Sequence, residues 1–124
     1  MNEAFDKSTF RKRSPKVFLC YSHADSGAVH ALYARLKKDG LEVWLDKETL
    51  SPGQDWEYEI RMGILKSDVV LACLSKQFNK QTGYRHEELK IALEKANLLP
   101  DDEIFIIPLR LEECEMPENL RRWQ

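Results

Sequence analysis

Four short apolar runs, each separated from the next by a segment with helical spacing, constrain this chain more than any other feature. The runs span 16–21, 41–45, 68–74 and 103–109. Each is short enough to be a strand. Between the first two, Val29, Leu32, Tyr33 and Leu36 fall at i, i+3, i+4 and i+7, one face of a helix. Asp25 or Ser26 is placed to cap that helix, and Gly40 to end it as a C′ glycine. A second helix is predicted over 55–65, with Trp56, Ile60 and Ile64 on one side. A third is predicted over 83–98, with Leu89, Ala92, Leu93 and Ala96 at core spacing. The order is therefore β-α-β-α-β-α-β, which implies right-handed crossovers and a doubly wound parallel sheet. The run 68–74 is almost wholly apolar, as befits a central strand covered on both faces. Pro108 is expected at a strand end or on a sheet edge, since it lacks an N–H.

Ligands of such sheets bind outside the carboxyl ends of the strands. The loops at that end are 21–26, 46–53 and 75–83, with the stretch after Leu109. Several functions are excluded there. No GxGxxG follows the first strand, as a dinucleotide-binding dehydrogenase would need. No GxSxG elbow occurs. A receiver domain wants an aspartate at the end of its third strand, where this chain has Cys73-Leu74-Ser75. The segment Ser22-His23-Ala24-Asp25-Ser26-Gly27 is a poor flavin phosphate loop. No His, Asp, Glu or Cys grouping has metal-ligand spacing.

At 124 residues and 43% apolar content, one domain with a real core is expected. Residues 1–15 are polar and read as a flexible leader, and 16–124 as the domain. The net charge of −2 argues against direct nucleic-acid binding. The basic cluster Arg11-Lys12-Arg13 with Lys16 reads as solvated leader. Three cysteines without a CxxC pair suggest a reducing, cytoplasmic setting. Neither a signal-peptide core nor a membrane-length apolar run is visible, so no membrane association is expected.

Three segments, in this order and spacing, resemble a TIR (Toll/interleukin-1 receptor) domain of the bacterial NAD-cleaving type. They are Val17-Phe18-Leu19-Cys20-Tyr21-Ser22-His23-Ala24-Asp25, Trp44-Leu45-Asp46-Lys47-Glu48-Thr49-Leu50-Ser51-Pro52-Gly53, and Gly83-Tyr84-Arg85-His86-Glu87-Glu88-Leu89. The stretches 104–114 and 116–118 are similar to bacterial members as well. The resemblance implies a flavodoxin-like α/β fold. A fifth strand and a last helix would complete it, so the chain reads as a truncated fragment.

NAD-cleaving members carry a glutamate four residues after an aromatic residue and just before an aliphatic one. Tyr84, Glu88 and Leu89 match, which makes Glu88 the implied catalytic residue. Spacing i to i+4 puts Tyr84 and Glu88 on one helical face, with Glu87 rotated toward solvent. The resemblance also implies substrate contacts from Tyr21, Ser22 and His23, from Asp46 and Ser51, and from Tyr84 as a stacking surface. Some members have arginines where this chain has Ser22 and His23, so its hold on phosphate is expected to be weaker.

Plainer readings stand beside these. Glu88 could be one more charge on a helix surface rich in Glu and Lys. Ser22 and Asp25 could simply shape a turn, 46–53 could be an ordinary surface loop, and Trp56 a core residue. The function implied is an NAD+ glycohydrolase releasing nicotinamide and ADP-ribose or a cyclic variant, with NAD+ as substrate and no separate cofactor. It would be an effector of bacterial antiphage immunity, activated by assembly with other TIR domains and joined to a sensor domain. The competing function is a non-catalytic TIR–TIR scaffold.

Overall fold

The computed structural model describes residues 14–45, 55–80 and 84–123, with the side chains of Trp56, Tyr84, Arg85 and His86 outside the description. Strand β1 (Lys16–Cys20) leads through a 3-10 turn (His23–Asp25) into helix α1 (Ser26–Lys38). Then come β2 (Glu42–Trp44), α2 (Trp56–Lys66), β3 (Val69–Leu74), the short α3 (Lys76–Lys80), α4 (Tyr84–Leu98) and β4 (Ile106–Arg110). A 3-10 segment, Glu118–Trp123, follows. The four strands form one parallel sheet in the order β2-β1-β3-β4. This is the alternating α/β architecture that the apolar runs predict.

Side chains alternate across each strand, and the alternation divides the core in two. Phe18, Cys20, Val70, Ala72, Leu74 and Ile106 pack on one face with residues of α2 and α4. Val17, Leu19, Tyr21, Val43 and Cys73 pack on the other with Val29, Leu32, Tyr33 and Leu36 of α1. α1 ends as predicted. Gly40 has φ 95°, the Leu41 N–H reaches the Leu36 carbonyl at 3.1 Å, and the Gly40 N–H reaches Lys37 at 3.0 Å. That pair of bonds is a Schellman motif, which only a residue tolerant of positive φ closes without strain.

Pro108 lies inside β4 rather than at its end, but β4 borders the sheet among the described residues. The Val70 N–H bonds to the Phe105 carbonyl and the Leu111 N–H to the Leu74 carbonyl. Odd-numbered residues of β4 therefore face β3 with their backbone groups, and the N–H that Pro108 lacks belongs to the open edge.

Three expectations are corrected. β4 begins at Ile106, not 103, because the Glu103 N–H closes a turn onto the Pro100 carbonyl. The expected loop 75–83 contains α3, whose Phe78 is buried and whose Phe78 N–H bonds the Ser75 hydroxyl at 3.0 Å. Asp25 holds the cap position of α1, but its side chain makes no capping bond.

Lys95 of α4 fastens the end of α2. Its ammonium donates to the carbonyls of Leu65 and Ser67, the latter at 3.0 Å, and lies 4.4 Å from the centre of the Phe105 ring. A cation at a helix C-terminus also opposes the helix dipole. Partial burial lowers the Lys95 pKa, against the opposing pull of Asp68 and Glu103. Lys95→Met keeps the stem and removes the donor, so chemical denaturation is expected to show a loss of about 1–3 kcal/mol. An unchanged midpoint and slope would mean that Lys95 fastens nothing.

Cys20 and Cys73 are buried, whereas Cys114 is partly exposed. Burial, aided by the Asp25 carboxylate, pushes the Cys73 thiol up to about 12. At pH 8 that leaves on the order of one Cys73 in ten thousand as the reactive thiolate. A native thiol titration should therefore label Cys114 first, with Cys20 and Cys73 reacting only in denaturant. Rapid native labelling of all three would contradict this packing.

Candidate active site

The helices that follow β1 and β3 lie on opposite faces of the sheet, so the carboxyl ends of these neighbouring strands flank a topological switch point. Such points are where doubly wound sheets open a crevice. The two loops that meet here are bonded together. The Ser75 hydroxyl, just past β3, donates to Asp25 Oδ2 at 2.5 Å, and the same oxygen accepts the Phe78 N–H. Asp25 thus turns from the helix it precedes toward the next strand.

Glu88 comes to this point from the α4 face. It is 2% exposed, in a helix whose Glu87 is solvent-exposed. The surface-charge reading of Glu88 is thereby overturned. Its position explains the burial, since Glu88, Ala92 and Ala96 fall at i, i+4 and i+8 on the side of α4 that meets the sheet. The Cys20 thiol, on the last residue of β1, donates to Glu88 Oε1 at 3.3 Å. Glutamate is rarely fully buried without a partner, so this placement marks the residue.

The other expected site residues are not all brought to Glu88. Tyr21 is 1% exposed, and its ring packs with Leu19 and Val29 on the α1 face, opposite the α4 face. Ser22 is buried and caps the 3-10 turn, its hydroxyl accepting the Ala24 N–H at 3.3 Å. His23 is exposed on that turn. Tyr84 opens α4 one turn before Glu88. Asp46, Ser51 and the rest of the loop 46–53 lie outside the described residues, as do the side chains of Tyr84 and Trp56. Three participants escape the sequence reading: Cys20 and Ser75, and Asp25 as a partner of Ser75. The available signal was position, since all three lie at the carboxyl ends of β1 and β3.

Beyond β4 the chain is tied to α3. The Asn79 side-chain amide donates to the Glu115 carbonyl, and the Lys76 N–H to Glu112, both at 2.8 Å. This leaves a groove of about 380 Å³ lined by Phe78, Asn79, Leu89, Met116, Pro117 and Arg121. Leu89 borders it from the residue after Glu88. Among the described residues, no cluster of three or more His, Cys, Asp or Glu could hold a metal ion. Among them, too, no helix is long and apolar enough to cross a membrane.

The family profile of the TIR domain matches residues 17–124. The NAD(+) hydrolase TcpA of Theionarchaea archaeon (strain DG-70-1) is 40% identical over 63 residues, 50% of this chain and 19% of TcpA. Two uncharacterised proteins of Sinorhizobium fredii (strain NBRC 101917 / NGR234) are also similar. y4cD is 33% identical over 81 residues, 65% of this chain and 12% of y4cD. y4lF is 30% identical over 105 residues, 82% of this chain and 31% of y4lF. The chain thus spans 12% to 31% of the length of these relatives.

Among solved structures, the TIR domain of the Toll-related receptor TRR-2 from Hydra magnipapillata is similar with a TM-score of 0.67 at 24% identity, over 84% of this chain and 76% of that one. A prokaryotic SEFIR domain gives 0.61 at 24% identity, over 87% and 83%. At that identity the likeness speaks to the fold alone. The sheet order, the switch point and the matched span agree, and the chain belongs to the TIR domain family.

Proposed function

We propose that this domain cleaves the nicotinamide–ribose bond of NAD+, with Glu88 as the catalytic carboxylate. The observation that carries the reading is the burial of Glu88 at the switch point, 2% exposed and held by the Cys20 thiol. The similarity to an NAD(+) hydrolase over half of the chain supports it.

Departure of nicotinamide builds positive charge on the ribose, as in glycoside hydrolysis. A carboxylate about 4 Å from that charge contributes roughly 4 kcal/mol at an effective dielectric near 20. That corresponds to about three decades in rate. Nicotinamide leaves as a neutral molecule, so no general acid is needed. In this reading His23, exposed on the first loop, donates to the dinucleotide, and Asp46, Ser51 and Tyr84 are further contacts. Ser22 keeps a hydroxyl proton to donate, but it is buried and must be uncovered first. Tyr21 is assigned the packing of this loop rather than a substrate contact. Water attacking the sugar gives ADP-ribose, and an adenine nitrogen attacking it gives a cyclic variant.

A carboxylate that is 2% exposed has to be opened to substrate. Activation by assembly with other TIR domains, under the control of a sensor domain in a cytoplasmic antiphage effector, would supply that opening. The second reading is a TIR–TIR scaffold, favoured by the same burial, because a partnered core glutamate can serve structure alone.

Nicotinamide release from NAD+ by concentrated protein should fall about a thousandfold in Glu88→Ala and stay near wild type in Glu87→Ala. Equal losses would remove Glu88 from this role, and no release by clustered wild type would leave the scaffold. Release should also rise more steeply than in proportion to protein concentration. Strict proportionality over a wide range would remove assembly from the mechanism.

A further inference from the structure

Cys20 is buried at the end of β1, a strand bonded on both sides, with Cys20 opposite Ala72 of β3. The ladder to β3 holds its backbone. Strand alternation turns its side chain, with that of Phe18, toward α4. There the Sγ lies 3.3 Å from Glu88 Oε1. Cys73, on the neighbouring strand, points to the α1 face, where it donates to the Leu71 carbonyl at 3.9 Å. Two buried thiols thus differ in what they bond: Cys20 donates to a side-chain carboxyl group, and Cys73 to a backbone carbonyl.

Glu88 has several rotatable bonds, so the direction of its carboxyl group is set by the groups that bond it. A donor on a fixed strand is one such group. A thiol is a weak donor, and it can hold a carboxylate without neutralising it as a nearby cation would. We propose that Cys20 is a positioning residue for the glycosidic chemistry, setting the direction of the Glu88 carboxylate through its S–H donor. The assignment rests on the reading of Glu88 as the catalytic carboxylate.

The test compares wild type, Cys20→Ser and Cys20→Ala in steady-state nicotinamide release by the clustered full chain. Loss of the donor should lower kcat about five- to tenfold and leave KM within about twofold, because the thiol acts on the carboxylate and not on bound substrate. Serine, which restores a donor, should recover kcat to within about twofold of wild type. A purely steric role lowers kcat in alanine and serine alike, since both lack the sulfur volume.

A second readout needs no turnover. With ¹³C-labelled glutamate, the Glu88 carboxyl signal, identified by its loss in Glu88→Gln, should move in Cys20→Ala and stay in place in Cys73→Ala. Should the alanine variant not fold, Cys20→Val fills the site without a donor and serves the same comparison. An unchanged kcat with an unmoved signal would overturn the assignment. Wild type that releases no nicotinamide would sink the enzymatic reading, and with it the catalytic part of this proposal. The carboxyl signal would then still show whether the thiol holds Glu88.

Discussion

A crossover between parallel strands is right-handed, and at β1 that rule sends successive helices to opposite faces of the sheet. The chain leaves β1 through α1 on one side, returns from β2 through α2 on the other, and continues through α4 on that second side. The switch point between β1 and β3 follows from handedness and strand order rather than from any single residue. Among the described residues, the end of β1, the Asp25–Ser75 bond and the carboxyl group that α4 delivers meet there.

The buried carboxyl group is the unusual feature. Removing a charged group from water costs several kcal/mol unless partners replace the lost hydration. Retaining glutamate at such a site is a pattern found where charge is used. The same burial keeps substrate away, which is why the chemistry and its control belong together in the proposed function.

Periodicity made the three long helices legible because α1, α2 and α4 each run beyond ten residues and repeat their apolar spacing. It failed at α3, where five residues are too few to show a period and Phe78 is the sole apolar anchor. The strand ends drifted where turn bonds, such as that from Glu103 to Pro100, compete with the ladder. Glu88 was found through its match to a family pattern. Its depth was readable from spacing to Ala92 and Ala96, but the neighbouring Glu and Lys residues masked that signal. Which face each buried thiol takes was set by strand register, and register needs the partner strands. The bond between Asp25 and Ser75 spans fifty positions, and no local pattern announces it.

The most direct measurement is a crystal structure of the assembled protein with a non-cleavable NAD+ analogue. The account predicts the analogue at the carboxyl ends of β1 and β3, its nicotinamide riboside beside the Glu88 carboxylate. An analogue seated instead in the groove of Phe78, Met116 and Arg121, with Glu88 still buried, would contradict it.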